Sequence, residues 1–378
     1  SSNNRNAFKP SRTFTSFECS CISDRCFPSM WNGPLIILPL FVNAATGGLQ
    51  GADIWNVVFA EQKLTKVAAI PPPSWPEGPQ PFRGGIIFSD TVRDVIFRYN
   101  SAEGLTELRK GVGEAPAGAA SWMAEPGPNG IAVDPDRLGT AYVCQHGRHG
   151  ISRLDLTTLE LEPLVSEFNG TRLNGPNDIV LDRHSQRLYF TDPIYAYLEK
   201  HRLRDSEYVD EACARGLGFT GVFRMPVGGR PEDLELLDGA GARRPNGIAL
   251  SPGGSRLYVS ECCQGEHLPN CTQGDAHYLV YRVGGRGAEL ERRVSFRIPP
   301  PGGARGCADG FKVHPGTGLI VGSCPGGICV VGAGAAEEAG ASPAAAAPGM
   351  RAGLLARLEL RHKVSNVAFA PDGFMYAT

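Results

Sequence analysis

The chain repeats one short pattern of apolar and polar positions. Each copy starts at a polar residue, commonly followed by glycine, and continues with alternating apolar residues. It then passes a turn rich in Asp, Pro or Gly and ends in a second apolar stretch. Clear examples are N-G-I-A-V-D-P from Asn129 and N-G-I-A-L-S-P from Asn246. Because alternation with a period of two is typical of β-strands, each copy predicts an antiparallel pair of strands.

Six copies of this pattern recur, and a third apolar strand follows several of them, for example at 94–99 and 150–155. The copies start at Glu77, Asn129, Asn177, Asn246, Asp309 and Asn366. Repeated short antiparallel meanders are typical of β-propellers. We therefore predict an all-β fold, a six-bladed β-propeller with a central channel, which forms one domain over residues 51–378.

The last copy of the pattern holds two strands and ends at Thr378. A propeller closes when strands from both ends of the chain share one blade, which removes open sheet edges. We expect residues near 51–70 to supply the outer strands of this blade; otherwise the blade is truncated. Long loop insertions are expected at 196–218, 262–276 and 332–353.

Residues 1–50 lack the repeat and are predicted to be a targeting, processing or disordered segment. The Ser-rich, acid-poor stretch 1–29 is similar to a transit segment, whereas the apolar run P-L-I-I-L-P-L-F-V after Met30 is similar to a secretory signal. A third interpretation makes 34–42 a first buried strand. Two Asn-x-Thr triplets favour the secretory interpretation. A secretory, extracellular or organellar location is thus favoured over a cytoplasmic one.

Composition and charge narrow the function classes. The 378 residues include 37 Lys and Arg against 39 Asp and Glu, a formal net charge of -2, which argues against a nucleic-acid partner. The 48 Gly and 30 Pro residues suit a fold with many turns. No apolar run reaches the length of about 18 residues that a membrane-spanning helix needs, so no membrane span is expected. A small-molecule partner is expected instead, and the oligomeric state is left open.

The chain has 11 cysteines, and their spacing does not match a structural zinc site. The pairs Cys262/Cys271 and Cys307/Cys324 are candidates for loop disulfides in an oxidising compartment, the first pair being preferred if the chain is secreted. Buried free thiols are the alternative, since cysteine is among the most buried residue types.

All six starting residues of the repeats carry a side-chain oxygen. The first strand of each propeller blade lies nearest the channel, so we expect these residues to face one axis. Carboxylates and amides that converge there suit a divalent cation, with Ca²⁺ preferred, Mg²⁺ or Mn²⁺ as alternatives and Zn²⁺ least favoured. Alternatively, Asn-Gly and Asp-Gly pairs are simply turn residues. That alternative accounts for Asn129, Asn246 and Asp309 better than for Glu77 or Asn177.

Five short motifs stand in order along the chain. They are E-G-P at Glu77, L-N-G-P-N-D-I-V at 173–180, Y-F-T-D-P-I-Y at 189–195, R-P-N-G-I-A-L at 244–250 and D-G-F-K-V at 309–313. C-Q-H-G-R from Cys144 and V-S-N-V-A-F-A near the C-terminus add to them. Together these motifs resemble the gluconolactonase and regucalcin (senescence marker protein) family of six-bladed β-propeller lactonases over about residues 51–378.

This resemblance implies a catalytic divalent metal, usually Ca²⁺, at the mouth of the channel. Glu77, Asn246 and Asp309 match metal ligands of the family, and Asn177 matches a position that binds the metal or the substrate. Arg172 lies close to where some members place a substrate-binding arginine.

The implied activity is metal-dependent hydrolysis of a sugar-derived or similar small lactone. The cation polarises the lactone carbonyl. Asp309 either orients or deprotonates the attacking water, or serves only as a ligand. Asp178 orients Asn177 at the substrate or caps a turn. His146 is a weaker candidate base, because a single His at a strand end is commonly structural. The sequence contains no G-x-S-x-G motif, which argues against a serine hydrolase.

Other function classes stay open on the sequence. A paraoxonase-like esterase or a strictosidine-synthase-like enzyme would use the same scaffold, although the complete Glu, Asn, Asn and Asp set disfavours the synthase type. A non-catalytic binding propeller is the third class, because fold alone does not define function. A metal assay followed by a panel of lactones separates these classes.

Overall fold

Alternating apolar positions form short strands throughout the described chain. In the computed structural model, the described residues are 34–39, 65–200, 216–239, 244–261, 276–283, 294–298, 307–332, 353–360 and 363–378. In chain order the strands are β1 (Pro34–Pro39), β2 (Thr65–Ala69), β3 (Pro76–Phe82), β4 (Gly85–Asp90), β5 (Val95–Asn100), β6 (Gly104–Lys110), β7 (Pro128–Asp134), β8 (Thr140–Gln145), β9 (Gly150–Asp155), β10 (Leu161–Val165), β11 (Glu167–Phe168), β12 (Thr171–Arg172), β13 (Ile179–Asp182), β14 (Arg187–Asp192), β15 (Gly221–Pro226), β16 (Glu235–Asp238), β17 (Pro245–Leu250), β18 (Arg256–Glu261), β19 (Ala276–Arg282), β20 (Val294–Ile298), β21 (Phe311–Val313), β22 (Ile320–Cys324), β23 (Gly327–Gly332), β24 (Gly353–Glu359), β25 (Val367–Phe369) and β26 (Phe374–Ala377).

These strands form six four-stranded sheets and one two-stranded ribbon, β11–β12. Five of the sheets are consecutive antiparallel meanders: β3 to β6, β7 to β10, β13 to β16, β17 to β20 and β21 to β24. The all-β propeller class that the alternation predicts is confirmed. The fourth strand of each meander was not predicted. β6, for example, reads G-L-T-E-L-R-K, which is largely polar and half exposed.

Strands from both ends of the described chain share the last sheet, in the order β2-β1-β26-β25. β1 pairs with β26 through Ile36 opposite Ala377, and with β2 through Pro34 opposite Ala69. The prediction that residues near 51–70 help to close the ring is confirmed for β2. Pairing of the two chain ends satisfies backbone groups that an open edge would expose.

The predicted start of the propeller at residue 51 needs correction. β1 comes from the segment 1–50, which was assigned to targeting, processing or disorder, and it supplies a strand of the last sheet. The position of β1 agrees with the alternative interpretation in placing a strand within 34–42. Other residues of that segment, including 1–29, lie outside the described residues.

An apolar cluster fills each junction between neighbouring sheets. Between the first sheet (β3–β6) and the second (β7–β10), Ile87, Ile96, Ile131 and Val143 are fully buried. Five further clusters occupy the other junctions, including the one between the last sheet and the first. Full burial of such a side chain is worth about 1.5–3 kcal/mol. The apolar contacts therefore continue around the whole ring.

Helical structure is sparse in the described part of the chain. It consists of α1 (Ala119–Trp122) and two 3₁₀ turns, Tyr195–Tyr197 and Pro231–Asp233. The repeat pattern did not predict α1. None of the helices described here is long and apolar enough to cross a membrane.

The cysteine pairing differs from one prediction. Cys324 is bonded to Cys329 across the β22–β23 hairpin, with 5.8 Å between their Cα atoms. The predicted Cys307–Cys324 disulfide is therefore wrong, although Cys307 is also disulfide-bonded. The pair Cys262/Cys271 lies outside the described residues, and Cys144 is a buried free thiol.

Hydroxyl groups on the second strand of several sheets hold the next sheet in place. Each donates to the backbone carbonyl of the residue that starts the following repeat. The three links are Ser89 to Asn129, Thr191 to Asn246 and Ser260 to Asp309, each at 2.6 Å. If a buried carbonyl loses its hydroxyl donor, no hydrogen bond offsets its desolvation, and the folded state is destabilised. These links therefore set the spacing between neighbouring sheets.

The Ser260 link predicts a stability effect. Ser260→Ala removes the donor to the Asp309 carbonyl and is expected to lower the free energy of unfolding by about 1–3 kcal/mol. The matched control is Ser121→Ala, whose exposed hydroxyl donates to the Gly118 carbonyl. Urea unfolding followed by fluorescence measures both variants. Equal unfolding free energies for the two would contradict a structural role for the Ser260 link.

Candidate active site

The residues that start the six repeats lie at the inner strands of the sheets. Three are within β3, β7 and β17, and three lie one or two residues before β13, β21 and β25. These first strands contact one another in a closed cycle, from β3 through β7, β13, β17, β21 and β25 back to β3. All six residues are buried: Glu77, Asn129, Asn177, Asn246, Asp309 and Asn366. We call this set the polar ring.

Glycine follows four members of the polar ring because the next sheet leaves no room for a side chain. A Cβ on Gly310 would lie 2.0 Å from the Asn366 side chain, and one on Gly247 would lie 2.7 Å from the Asp309 carbonyl oxygen. The glycines of the first two sheets meet the next ring residue in the same way. The turn interpretation of these pairs does not account for this close approach. Their glycines permit close packing of neighbouring sheets.

Hydrogen bonds join several ring side chains directly. Asn366 Nδ2 donates to Glu77 Oε2 at 3.2 Å. The Asn246 side chain hydrogen-bonds the Asp309 carboxylate, and its Nδ2 also donates to the Tyr195 hydroxyl at 3.4 Å. The two carboxylates predicted as metal ligands are thus each held by an amide of a neighbouring sheet.

Burial and like charges raise the pKa of three carboxyl groups here. Burial raises the pKa of Glu77 well above its usual range, and the negative charges of Asp309 and Asp178 add to the effect. Burial and Glu125 raise the pKa of Asp309 to about 8, although a hydrogen bond from Asn246 opposes the shift. Burial, with Glu77, raises the pKa of Glu125 to about 8. The surroundings of these three carboxyl groups therefore do not offset the cost of their negative charges when they ionise.

Asn177 and Asp178 have different surroundings. Asp178 Oδ1 accepts the Ile179 N–H at 2.9 Å, and its Oδ2 accepts the Ile248 N–H at 3.3 Å. The Asp178 carboxylate consequently ties the third sheet to the fourth, and its contact with substrate stays a prediction. Within the described residues, no hydrogen bond reaches the Asn177 side chain, which is buried. Its amide is free to bind a ligand.

Arg172 lies apart from the polar ring. It ends the short ribbon strand β12, is exposed, and its Nη2 donates to the Arg148 carbonyl at 3.5 Å. No hydrogen bond or ion pair between Arg172 and a ring residue occurs in the described ranges. Its role in substrate binding stays a prediction.

Sequence analysis missed Glu125, which follows α1 and has no counterpart in the repeat. The Ala124 N–H donates to the Leu198 carbonyl at 2.9 Å, which fixes this segment against the one after the Tyr195–Tyr197 turn. Glu125 Oε2 lies 3.5 Å from His146 Nδ1. A connection between sheets carries no periodic signal, so only its acidic character distinguished Glu125 beforehand.

His146 links Glu125 to the polar ring. Its Nε2 lies 3.4 Å from Asn129 Nδ2, which is a donor, so the ring proton is assigned to Nδ1, facing Glu125. Burial, with the neighbouring His149, lowers the pKa of His146 to about 3. His146 is therefore neutral near pH 7 and fully buried. This environment agrees with the structural alternative weighed above for a single His at a strand end.

Comparison with known proteins identifies the family. The family model described as SMP-30/Gluconolactonase/LRE-like region matches residues 75–331, more than half of the chain. The chain belongs to this family. The family predicted from the sequence motifs is thereby confirmed.

Individual relatives are similar over most of their length. A gluconolactonase of Zymomonas mobilis is 29% identical over 300 residues, which cover 76% of this chain and 77% of that protein. The structure of a gluconolactonase from Xanthomonas campestris has a TM-score of 0.59 at 22% identity, and the match covers 92% of this chain and 98% of that one. A putative gluconolactonase has a TM-score of 0.55 at 22% identity, covering 81% and 89%. The two structural matches support the fold.

The polar ring fits a hard cation by the chemistry of its donors. Glu77 and Asp309 supply buried carboxylates, and Asn177 and Asn246 supply amides, which are ligand types that Ca²⁺ accepts. Within the described ranges, no group of three or more His, Cys, Asp or Glu side chains forms a metal cluster. The predicted set is of another kind, since half of its donors are amides. Burial and neighbouring carboxyl groups raise the pKa of both Glu77 and Asp309, so a bound cation would favour their ionised forms.

The raised pKa values predict how stability depends on pH in chelator-treated protein. Asp309 and Glu125 hold protons in the folded state up to about pH 8, whereas in the unfolded chain they ionise near pH 4. Above the usual histidine pKa of about 6.5, the folded state therefore binds more protons than the unfolded state, and stability falls as pH rises. Urea unfolding between pH 7 and about 8.5 should show this decrease.

Two results would bear on that pH dependence. The slope should be smaller in Glu125→Gln, which removes one of the titrating groups, and unchanged in the surface control Glu232→Gln. Stability that rises with pH over the same interval would mean that the carboxyl groups are ionised in the folded protein.

Proposed function

We propose that this chain is a lactone hydrolase of the gluconolactonase type that uses a divalent cation, with Ca²⁺ preferred. Glu77, Asn177, Asn246 and Asp309 would hold the cation. The observation that carries the proposal is the convergence of two buried carboxylates with two buried amides on inner strands, in a member of this family. The substrate would be a sugar-derived or similar small lactone.

We further infer that the six four-stranded sheets are six blades around a central channel. The closed cycle of first strands and the apolar cluster at every junction support this arrangement. In such a ring, groups at equivalent positions of different blades approach one axis. This is why ligands that are far apart in sequence can share one cation.

Asn177 and Asp309 have different roles in the proposed hydrolysis. A bound divalent cation stabilises the negative charge that develops on the lactone carbonyl oxygen. Asn177 orients that carbonyl, since its amide has no hydrogen-bond partner within the described protein. Asp309 takes a proton from the attacking water. The water oxygen bonds to the carbonyl carbon, the ring C–O bond breaks, and the proton passes to the departing oxygen to give a hydroxy acid.

Two ligand variants test the cation and the activity together. Asp309→Ala and Glu77→Gln each remove negative charge from the site, so both should weaken Ca²⁺ binding and lactone hydrolysis in parallel. Calorimetric titration with Ca²⁺ and a panel of δ-lactones, before and after chelation, measure the two effects. Asp136→Asn is the control, because Asp136 is an exposed carboxylate paired with Arg183.

Outcomes of this test separate the function classes. Full activity of either ligand variant in chelator would contradict the assigned site. Aryl ester hydrolysis without lactone hydrolysis would indicate a paraoxonase-like esterase. Ca²⁺ binding without hydrolysis of any ester would indicate a binding propeller. A protein that neither binds Ca²⁺ nor hydrolyses any ester would favour an enzyme of the strictosidine-synthase type.

Asn177→Ala tests the orientation of the substrate. It leaves both carboxylates in place, so Ca²⁺ should still bind at saturating concentration. Because a small misplacement near the reacting atom costs on the order of 100-fold in rate, kcat/KM should fall by about that factor. Asp178→Asn should act in the same direction by about 10- to 100-fold. Near-normal turnover of Asn177→Ala would show that the third sheet takes no part in the chemistry.

A further inference from the structure

A lysine lies next to the polar ring and has no part in the hydrolysis described above. Lys312 is in β21, and its side chain is 19% exposed. Its Nζ donates to the Phe311 carbonyl at 3.2 Å and to Asn366 Oδ1 at 3.1 Å. The same Nζ lies 4.0 Å from Asp178 Oδ2. The ammonium thus contacts two of the sheets that supply the ring.

Lys312 determines which way the Asn366 amide faces. An ammonium has donors and no acceptor, so it must meet the amide oxygen. Asn366 Oδ1 also accepts the Val367 N–H at 2.8 Å. The Asn366 nitrogen is left to face Glu77, to which it donates at 3.2 Å. The oxygen that this ring member would offer to a cation is therefore already occupied.

The charge of Lys312 also matters to the ring. Glu77, Asp309 and Asp178 are buried close enough together that their carboxylates repel one another when ionised. Lys312 places one positive charge close to Asp178 and, through Asn366, one hydrogen bond away from Glu77. A positive charge inside this group opposes the entry of another cation, since like charges repel.

We infer that Lys312 is a positioning residue that keeps Asn366 out of the cation's ligand set and limits the affinity of the site. It holds the Asn366 amide as a donor to Glu77 and serves as an internal counter-charge when no cation is bound. The inference rests on the proposed function for the identity of the cation. Its structural part, the counter-charge, does not depend on hydrolysis.

The test measures Ca²⁺ affinity and stability in Lys312→Met. This substitution removes one positive charge and the hydrogen bond from Lys312 to the Asn366 oxygen. Because ligand charge sets affinity in such sites, Ca²⁺ should bind about tenfold more tightly by calorimetry. The melting temperature of the chelated variant should fall, and Ca²⁺ should raise it by more than in the wild type. Lys312→Arg, which keeps the charge and the donors, should restore wild-type values. Lys110→Met, on an exposed outer strand, is the control.

A lysine that served only for packing would behave differently. Lys312→Met would then lower the melting temperature equally with and without Ca²⁺, and its Ca²⁺ affinity would be unchanged or weaker. Either result overturns the inference. The same holds if Lys312→Arg fails to recover the wild-type affinity while it recovers the melting temperature.

A second measurement keeps the inference separate from the proposed function. In chelated protein, Asp178→Asn should destabilise the wild type more than it destabilises Lys312→Met, because only the wild type has the Lys312 ammonium 4.0 Å from the Asp178 carboxylate. Equal effects in the two backgrounds overturn the counter-charge role. Wild-type protein that binds no Ca²⁺ would refute the proposed cation, and this double-mutant cycle would then decide the role of Lys312 by itself.

Discussion

The close approach of the six first strands is the constraint on which the rest of the structure depends. Gly310 has no room for a Cβ beside Asn366, and the Ser260 hydroxyl reaches across to the Asp309 carbonyl. The apolar clusters at the junctions hold the sheets at this distance. Only because the strands come so close do polar side chains from different sheets meet at one place.

This close approach has an electrostatic cost. It buries Glu77, Asp178 and Asp309 near one another, where each ionised carboxylate disfavours the next. The protein offsets part of that cost with amide donors and with Lys312, and the proposed cation would offset the rest. When the proposed cation neutralises these carboxylates, their repulsion is relieved, and the free energy released contributes to cation binding. The arrangement therefore links stability, protonation and cation binding to the same few groups.

The repeat made the fold and the polar ring predictable. The alternation of apolar residues predicted the inner strands, and the polar residue that starts each repeat predicted the ring. This works because equivalent positions of repeated sheets occupy equivalent places in the fold. The outer strands did not stand out in this way. β6, for example, is half exposed and largely polar. A strand at 34–42 was weighed only as an alternative, and its part in ring closure was not predicted, because a short apolar run fits a signal sequence and a strand equally well.

Side chains outside the repeat were the harder part to predict. Glu125 comes from a connection, and its closeness to His146 follows from backbone hydrogen bonds between two loops. Lys312 was visible within D-G-F-K-V, but its contact with Asn366 depends on how the fifth and last sheets meet. Arg172 illustrates the converse, since its closeness in sequence to a family motif is not matched by a hydrogen bond or ion pair to the ring in the described residues. Periodicity predicts equivalence between sheets, whereas contacts between unlike segments require the folded structure.

A crystal structure determined with Ca²⁺ tests the central claim most directly. The account predicts one ion at the polar ring, with oxygen atoms of Glu77, Asn177, Asn246 and Asp309 at about 2.3–2.6 Å. Waters or a lactone oxygen would complete its coordination, and the Asn366 oxygen would stay on Lys312. A ring without an ion at saturating Ca²⁺, or an ion bound elsewhere while lactone hydrolysis persists, would contradict the account.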